Sequence, residues 1–402
     1  MSSSPLAALQ TAPIDPIISV SEAFFADPNP KKVNLGIGIY CDDSGKVPVL
    51  SCIKEAEKKF VAAGKPKYYL PMDGLGAFNR AAQHLLFGAE HAAVREKRVV
   101  TAQTLGGSGA LKVGADWLRV LNPRVEVWIS DPSWENHSAI FEGACFKVNS
   151  YPYYDAASRS IRLDAMLTTL RGLPRGTIVV LHACCHNPTG LDPTPQQWQQ
   201  IREAVKKAEL VPFLDIAYQG FAESLDADAA EVRRFADECP LAVVASSFSK
   251  SLSLYSERVG ALSLVTGSTD EAARALSHVK RVVRANYSGP PSYGGGLATN
   301  VLTDPELREK WEGELAAMRD RVKSVRRQLV EKIRARRADF DLNYVIEQRG
   351  MFSYSGLTPA QVRRLRDQYS IYALESGRVC VAALNSHNVD YVAEAIADVL
   401  VS

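Results

Sequence analysis

A chain of 402 residues exceeds one ordinary domain, so two packed domains with sizeable cores are expected. Its 47 Lys and Arg against 45 Asp and Glu leave a formal net charge of +2, which excludes the long-range field that nucleic-acid or anionic-membrane binding uses. No apolar run reaches the roughly 18 residues of a membrane span, and Met1 to Ile14 lacks a basic segment followed by an apolar stretch, so a soluble, unprocessed protein is expected.

In chain order, the first feature is a glycine cluster, Thr104-Leu105-Gly106-Gly107-Ser108-Gly109-Ala110-Leu111, opening an amphipathic helix with Leu111, Ala115 and Leu118 on one face. Backbone N–H groups there can approach a phosphate, and the helix dipole favours its charge. The spacing fits neither GxxxxGK[ST] nor GxGxxG, so nucleotide fingerprints fail, and a plain helix entry remains an equal reading. Short β-branched runs bounded by turn residues follow: Val125–Ser130, Thr177–His182, Val211–Leu214, Leu241–Ala245 and Gly260–Val265. Between them lie helical periods such as Trp198, Ile201, Val205 and Ala208. Strands alternating with helices imply a largely parallel α/β sheet, buried on both faces.

Three strand ends carry polar residues. Asn187-Pro188-Thr189-Gly190 follows the second strand and reads in isolation as a structural turn. Asp215 ends the third, where ligands of open α/β sheets bind, although an aspartate there can equally cap the next helix. Ser246-Ser247-Phe248-Ser249-Lys250 ends the fourth, with Arg258 eight residues on: a lysine after hydroxyls suggests a Schiff-base amine beside an anion cradle, against a solvated surface lysine. Beyond them Asp304-Pro305 caps one long helix whose apolar stripe runs from Leu307 to Ile333, and Phe340–Ile346, Gly350–Ser355, a helix from Thr358 and Val379–Leu384 form a smaller α+β unit. The seven cysteines are odd in number and lack zinc-ligand spacing, so reduced thiols in a cytoplasmic compartment, and no metal site, are expected.

The order and spacing of His186-Asn187-Pro188-Thr189-Gly190, Asp215-Ile216-Ala217-Tyr218-Gln219-Gly220-Phe221, Ser247-Phe248-Ser249-Lys250 and Glu257-Arg258-Val259-Gly260 resemble those of class I aminotransferases. The likeness runs from Asn34-Leu35-Gly36-Ile37-Gly38 to Ser376-Gly377-Arg378-Val379 and is close to bacterial aspartate and aromatic (tyrosine) aminotransferases. It implies the type I pyridoxal-phosphate fold: an arm over residues 1–10, a small α+β domain from 11–44 and 318–402, and a large cofactor domain over 45–317 with a mostly parallel sheet. It also implies a homodimer with shared active sites and pyridoxal 5'-phosphate as cofactor.

By that resemblance Lys250 binds the cofactor covalently and shuttles a proton, Asp215 keeps the ring nitrogen protonated, and Asn187 and Tyr218 bond its phenolic oxygen. Trp134, in Asp131-Pro132-Ser133-Trp134, stacks on the ring and also borders the substrate. Gly107, Ser108, Ser247, Ser249 and Arg258 form the phosphate cradle, which Tyr69 of a second subunit completes. Arg378 takes the substrate α-carboxylate beside Gly38 and Asn187, and Arg284 of the second subunit pairs with a distal carboxylate. His137 and His182 resemble supporting residues behind the ring.

The implied reaction is ping-pong transfer of an amino group to 2-oxoglutarate. Ile39, Cys41, Val47, Tyr68, Ser108 and Gly289 depart from the aspartate-preferring pattern, so aromatic donors are expected beside aspartate. The rivals are an aspartate-specific aminotransferase, a lyase or decarboxylase of the same fold, and a binding protein without catalysis.

Overall fold

The computed structural model describes residues 4–11 and 14–400; the parts of the arm and of the small domain expected at 1–3, 12–13 and 401–402 lie outside the described residues. Helix α1, Pro16–Ala26, is capped by Asp15, whose carboxylate accepts the N–H groups of Ile17 and Ile18. The central sheet has seven strands: β1 (Val99–Leu105), β2 (Val127–Asp131), β3 (Val148–Pro152), β4 (Ile178–His182), β5 (Val211–Ile216), β6 (Ala242–Ser247) and β7 (Val259–Val265). Their spatial order is β1-β7-β6-β5-β4-β2-β3, parallel except for β7, which runs antiparallel to both neighbours.

Every residue of β4, β6 and β7 is buried, as expected of strands covered by helices on both faces. Pro212 is tolerated in β5 because it lies near the strand's start, before pairing with β6 begins at Phe213. Register places His182 beside Asp215 and Asp215 beside Ala245, so the polar ends of β4, β5 and β6 share one edge.

Helix α2, Gly106–Leu121, starts directly from β1 and buries Leu111, Ala115 and Leu118, the face read from sequence. Helix α3, Pro305–Arg336, is 32 residues long, with proline in its first turn and Asp304 accepting the N–H groups of Glu306 and Leu307. At about 1.5 Å per residue it spans some 48 Å. Its buried stripe carries Trp311, whose indole N–H donates to Ser251 O at 2.6 Å and pins the backbone next to Lys250.

The C-terminal part contributes β8 (Phe352–Tyr354), antiparallel to β9 (Arg378–Cys380) with Tyr354 opposite Arg378. The short strand Val33–Asn34 pairs with Ile371–Tyr372, and Cys380 N–H donates to Leu35 O, which brings Gly36 to Gly38 alongside Arg378.

Two strands of the central sheet were not apparent in the sequence. β1 contains Thr101, Gln103 and Thr104, whose polarity hides a buried strand; Gln103 is fully buried because its amide serves Leu75 N and Pro291 O. β3 is a polar edge strand. Phe340–Ile346 is largely a short helix, Asn343–Glu347.

Candidate active site

At the carboxyl edge of the sheet lies a cavity of about 170 Å³ lined by Gly38, Gly107, Ser108, Trp134, Asn187, Asp215, Tyr218, Ser247, Ser249, Lys250, Arg258 and Arg378. Residues up to 340 positions apart in sequence therefore meet at one point. A larger groove of about 590 Å³, between Arg80 and His84 on one side and Arg308 and Arg319 on the other, contains none of them.

Asp215, 6 % exposed, is the last residue but one of β5, with its Oδ2 2.9 Å from His137 Nε2. A carboxylate only accepts, so His137 donates there, and its Nδ1 lies 2.9 Å from Ser133 Oγ. Burial pushes the Asp215 carboxyl up, but the His137 hydrogen bond and the charges of His137 and Lys250 outweigh it and hold the group below its ordinary value. His182, packed 5.0 Å from the His137 ring, has no partner on either nitrogen among the described residues, and burial drives it down to about 3, so it is neutral. His137, His182 and Asp215 bring ligand-type atoms within 4.8 Å of one another, yet the His137 to Asp215 bond occupies two of them.

Lys250 follows β6. Its Nζ has no hydrogen-bond partner among the described residues and sits 5.5 Å from the centre of the Tyr218 ring. Desolvation lowers its ammonium to about 8, with Arg258 adding repulsion and Asp215 opposing. Tyr218 is raised well above its usual value by burial, and so stays a phenol, a donor.

Around the start of α2 the backbone leaves room for an anion. Gly106 has φ of +68°, and a Cβ there would lie 2.6 Å from Arg258 Nη2. A Cβ on Gly107 would press on Ser247 at 3.1 Å. Arg258 donates to Tyr255 O at 2.9 Å and to Ser249 Oγ at 3.4 Å, while its own carbonyl accepts Gly106 N–H. Backbone amides, hydroxyls and one guanidinium thus converge, and among the described residues Arg258 has no carboxylate partner.

At the opposite end Arg378, wholly buried, donates from Nη1 to Asn187 Oδ1 at 3.1 Å and from Nη2 to Gly36 O at 2.7 Å; its Nε has no partner among the described residues. Its guanidinium lies 4.3 Å over the Phe352 ring. A Cβ on Gly38 would meet that ring at 2.6 Å. This is a fork held in place with no carboxylate among the described residues to answer it.

Two expected residues are elsewhere. Tyr69, fully exposed, and Arg284, exposed and donating to Ser288 Oγ, line a separate concavity of about 550 Å³ with Tyr68, Tyr287 and Gly289. Of the six positions that depart from the aspartate-preferring pattern, only Ser108 lines the Lys250 cavity. Tyr68 and Gly289 border Arg284, Val47 is exposed, and Ile39 and Cys41 border a groove with Phe24 and Phe25, so Cys41 does not open onto this chain's own site. Sequence reasoning missed Ile17, Leu111 and Phe352 as lining residues; their apolarity marks them only as core.

The sequence profile "Aminotransferase class I and II" fits residues 30–396. The chain belongs to the class I and II aminotransferases. It is 52 % identical over 393 residues to an aspartate aminotransferase of Pseudomonas aeruginosa, covering 98 % of this chain and 99 % of that one. It is 48 % identical to the aromatic-amino-acid aminotransferase of Escherichia coli, covering 96 % and 98 %. Its fold superposes with a TM-score of 0.97 on a crystal structure of an aromatic-amino-acid aminotransferase from Burkholderia pseudomallei covalently bound to pyridoxal phosphate, at 56 % identity over 99 % and 100 % of the two chains.

Proposed function

We propose that the protein transfers the amino group of aromatic amino acids and of aspartate to 2-oxoglutarate, with pyridoxal 5'-phosphate as cofactor. The observation that carries this reading is the single cavity holding an amine at Lys250, a carboxylate at Asp215 and a guanidinium at each end, Arg258 and Arg378. The residues fit the cofactor: the cradle at Gly107 has the space and donors a phosphate needs, and Lys250 has an uncommitted amine. In that fit Gly107, Ser108, Ser247, Ser249 and Arg258 hold the phosphate, Trp134 covers the ring, Asp215 takes the ring nitrogen, and Asn187 and Tyr218 donate to the phenolic oxygen.

When bound, the cofactor supplies an aldehyde that accepts the amino group and a ring that withdraws electrons from the substrate Cα. The protein's part is acid–base work and orientation. Asp215, kept ionised by His137, holds a proton on the ring nitrogen. Lys250, with a pKa of about 8, can both take the substrate's Cα proton and return it near neutral pH. Arg378 fixes the carboxylate with two parallel donors, and closure of residues 11–44 and 318–402 over 45–317 excludes water.

The exposure of Tyr69 and Arg284 in one concavity supports a homodimer in which each chain lends both residues to its partner's site. Among the described residues no helix is long and apolar enough to cross a membrane. Seven free cysteines, six of them buried, support residence in the cytoplasm. A panel of kcat/KM values for aspartate, phenylalanine, tyrosine and leucine with 2-oxoglutarate tests the reading; activity with aspartate alone would replace it by an aspartate-specific enzyme.

A further inference from the structure

Arg326 is a buried charge that the reading above leaves unused. It projects from α3, is 2 % exposed, and among the described residues has no carboxylate partner. Its Nε donates to Ser353 Oγ at 3.2 Å, and its Nη2 donates to the carbonyls of Gly350 and Phe352 at 2.5 and 3.1 Å. Desolvation brings the guanidinium down to about 10, which leaves it charged at neutral pH. A buried cation answered only by neutral oxygens is a poor device for stability, since an apolar residue of similar volume would fill the space without the desolvation penalty.

All three acceptors belong to the segment Gly350 to Ser353, and that segment faces the active site through one residue. The Phe352 ring carries the Arg378 guanidinium at 4.3 Å, and Gly38 is so close that a Cβ would lie 2.6 Å from it. The segment also bears on the Asn187 turn: Arg349 N–H donates to Gly190 O at 2.6 Å, and a Cβ on Gly190 would meet Phe352 O at 2.8 Å. Phe352 is thus gripped at its carbonyl by one guanidinium and supports another with its ring.

We propose that Arg326 is a positioning residue for carboxylate recognition: it holds Phe352 as the shelf on which Arg378 lies, and its uncompensated charge biases this end of the cavity toward an anion. This rests on the reading that Arg378 receives the substrate carboxylate. The geometry assigns Arg326 no contact with substrate; it acts through Phe352.

The test uses the cofactor-loaded enzyme in single-turnover half-reactions followed by absorbance, with phenylalanine and with phenylalaninamide, whose carboxamide carries no charge. Arg326→Gln should raise the half-saturating concentration of phenylalanine about tenfold, and Ser353→Ala about threefold, with limiting rates held within about twofold and the amide unaffected. An unchanged half-saturation, or an equal rise for acid and amide, overturns the proposal, the second outcome marking a purely structural residue. If Arg326→Gln does not fold, Ser353→Ala decides by the same two comparisons. Arg378→Leu serves as the separate control: if it leaves phenylalanine binding intact, the carboxylate reading itself falls, whereas a loss there with none at Arg326 and Ser353 sinks only the inference.

Discussion

Arg378 donates to the side-chain oxygen of Asn187 across 191 residues of sequence, and this 3.1 Å bond joins the small C-terminal sheet to the turn after β4. Because Oδ1 accepts, the Asn187 amide N–H groups are left to donate into the cavity. One side chain therefore addresses both the carboxylate fork and the position we assign to the cofactor's phenolic oxygen.

Asn187→Ala should accordingly disturb two quantities. Losing the acceptor frees Arg378 Nη1, so KM for every carboxylate substrate should rise about ten- to a hundredfold, as for one hydrogen bond to a charged group. Losing the donor should also shift the visible absorbance of the loaded enzyme and its pH midpoint. A variant with raised KM and an unaltered spectrum would mean that Asn187 serves Arg378 alone.

Lys250 should titrate near 8 in the cofactor-free protein. Burial disfavours the ammonium in the folded state, so its folded value lies below the unfolded 10.5. The penalty to stability is full below pH 8 and is relieved as pH rises from 8 towards 10.5. The neutral amine, roughly one molecule in ten at pH 7, is the reactive species. Labelling of Lys250 by an amine-reactive sulfonate, read by peptide mass spectrometry, should rise with a midpoint near 8; a midpoint near 10.5 would show an ordinary surface amine. Lys250→Ala should fold and lose turnover, since among the described residues no other amine lines the cavity.

Asp215→Ala should lower kcat by about a hundredfold or more, because no carboxylate then holds the proton at the ring nitrogen. His137→Phe should give a smaller loss of the same kind: it removes the hydrogen bond that keeps Asp215 ionised and so moves the acid limb of the pH–rate profile upward. An Asp215→Ala enzyme with unchanged rate and spectrum would reduce the residue to a helix cap.

What could be read in the sequence follows from where each signal sits. Asp215 lies at the end of β5 while Asn187 and Lys250 follow β4 and β6, strands with continuous apolar runs, so both their existence and their shared edge were legible. The long helix was legible because Asp304 and Pro305 punctuate it and its stripe is unbroken to Ile333. β1 was not, because Gln103 is buried through hydrogen bonds that no local pattern encodes. Phe352 and Arg326 were missed for a related reason: an apolar ring and a helical arginine look like core and surface until the fold places one against Gly38 and the other behind it. The six positions that depart from the aspartate-preferring pattern were not legible in this way, since Cys41 borders a separate groove of its own chain and of the six only Ser108 lines the cavity.

That leaves dual specificity resting on Arg284 rather than on the six substituted positions. Arg284 is exposed, and among the described residues its side chain is bonded only to Ser288 Oγ, so it is tethered by one hydroxyl and can move. Tyr68, Tyr69 and Tyr287 line the same concavity, which offers a guanidinium stacking surfaces when an aromatic substrate displaces it. A dicarboxylate gains a charge-assisted pair whose truncation costs about 2–5 kcal/mol, while burying an aromatic side chain is worth about 1.5–3 kcal/mol, so the two classes should be used at comparable efficiency. Arg284→Leu should therefore cut kcat/KM for aspartate by roughly thirtyfold or more and leave phenylalanine within about threefold. The measurement is the pair of kcat/KM values in parent and variant, repeated at low and high salt, where the aspartate value of the parent alone should fall. Equal losses for both donors would make Arg284 a structural contact of the concavity, and a parent enzyme without phenylalanine turnover would assign the chain to aspartate alone.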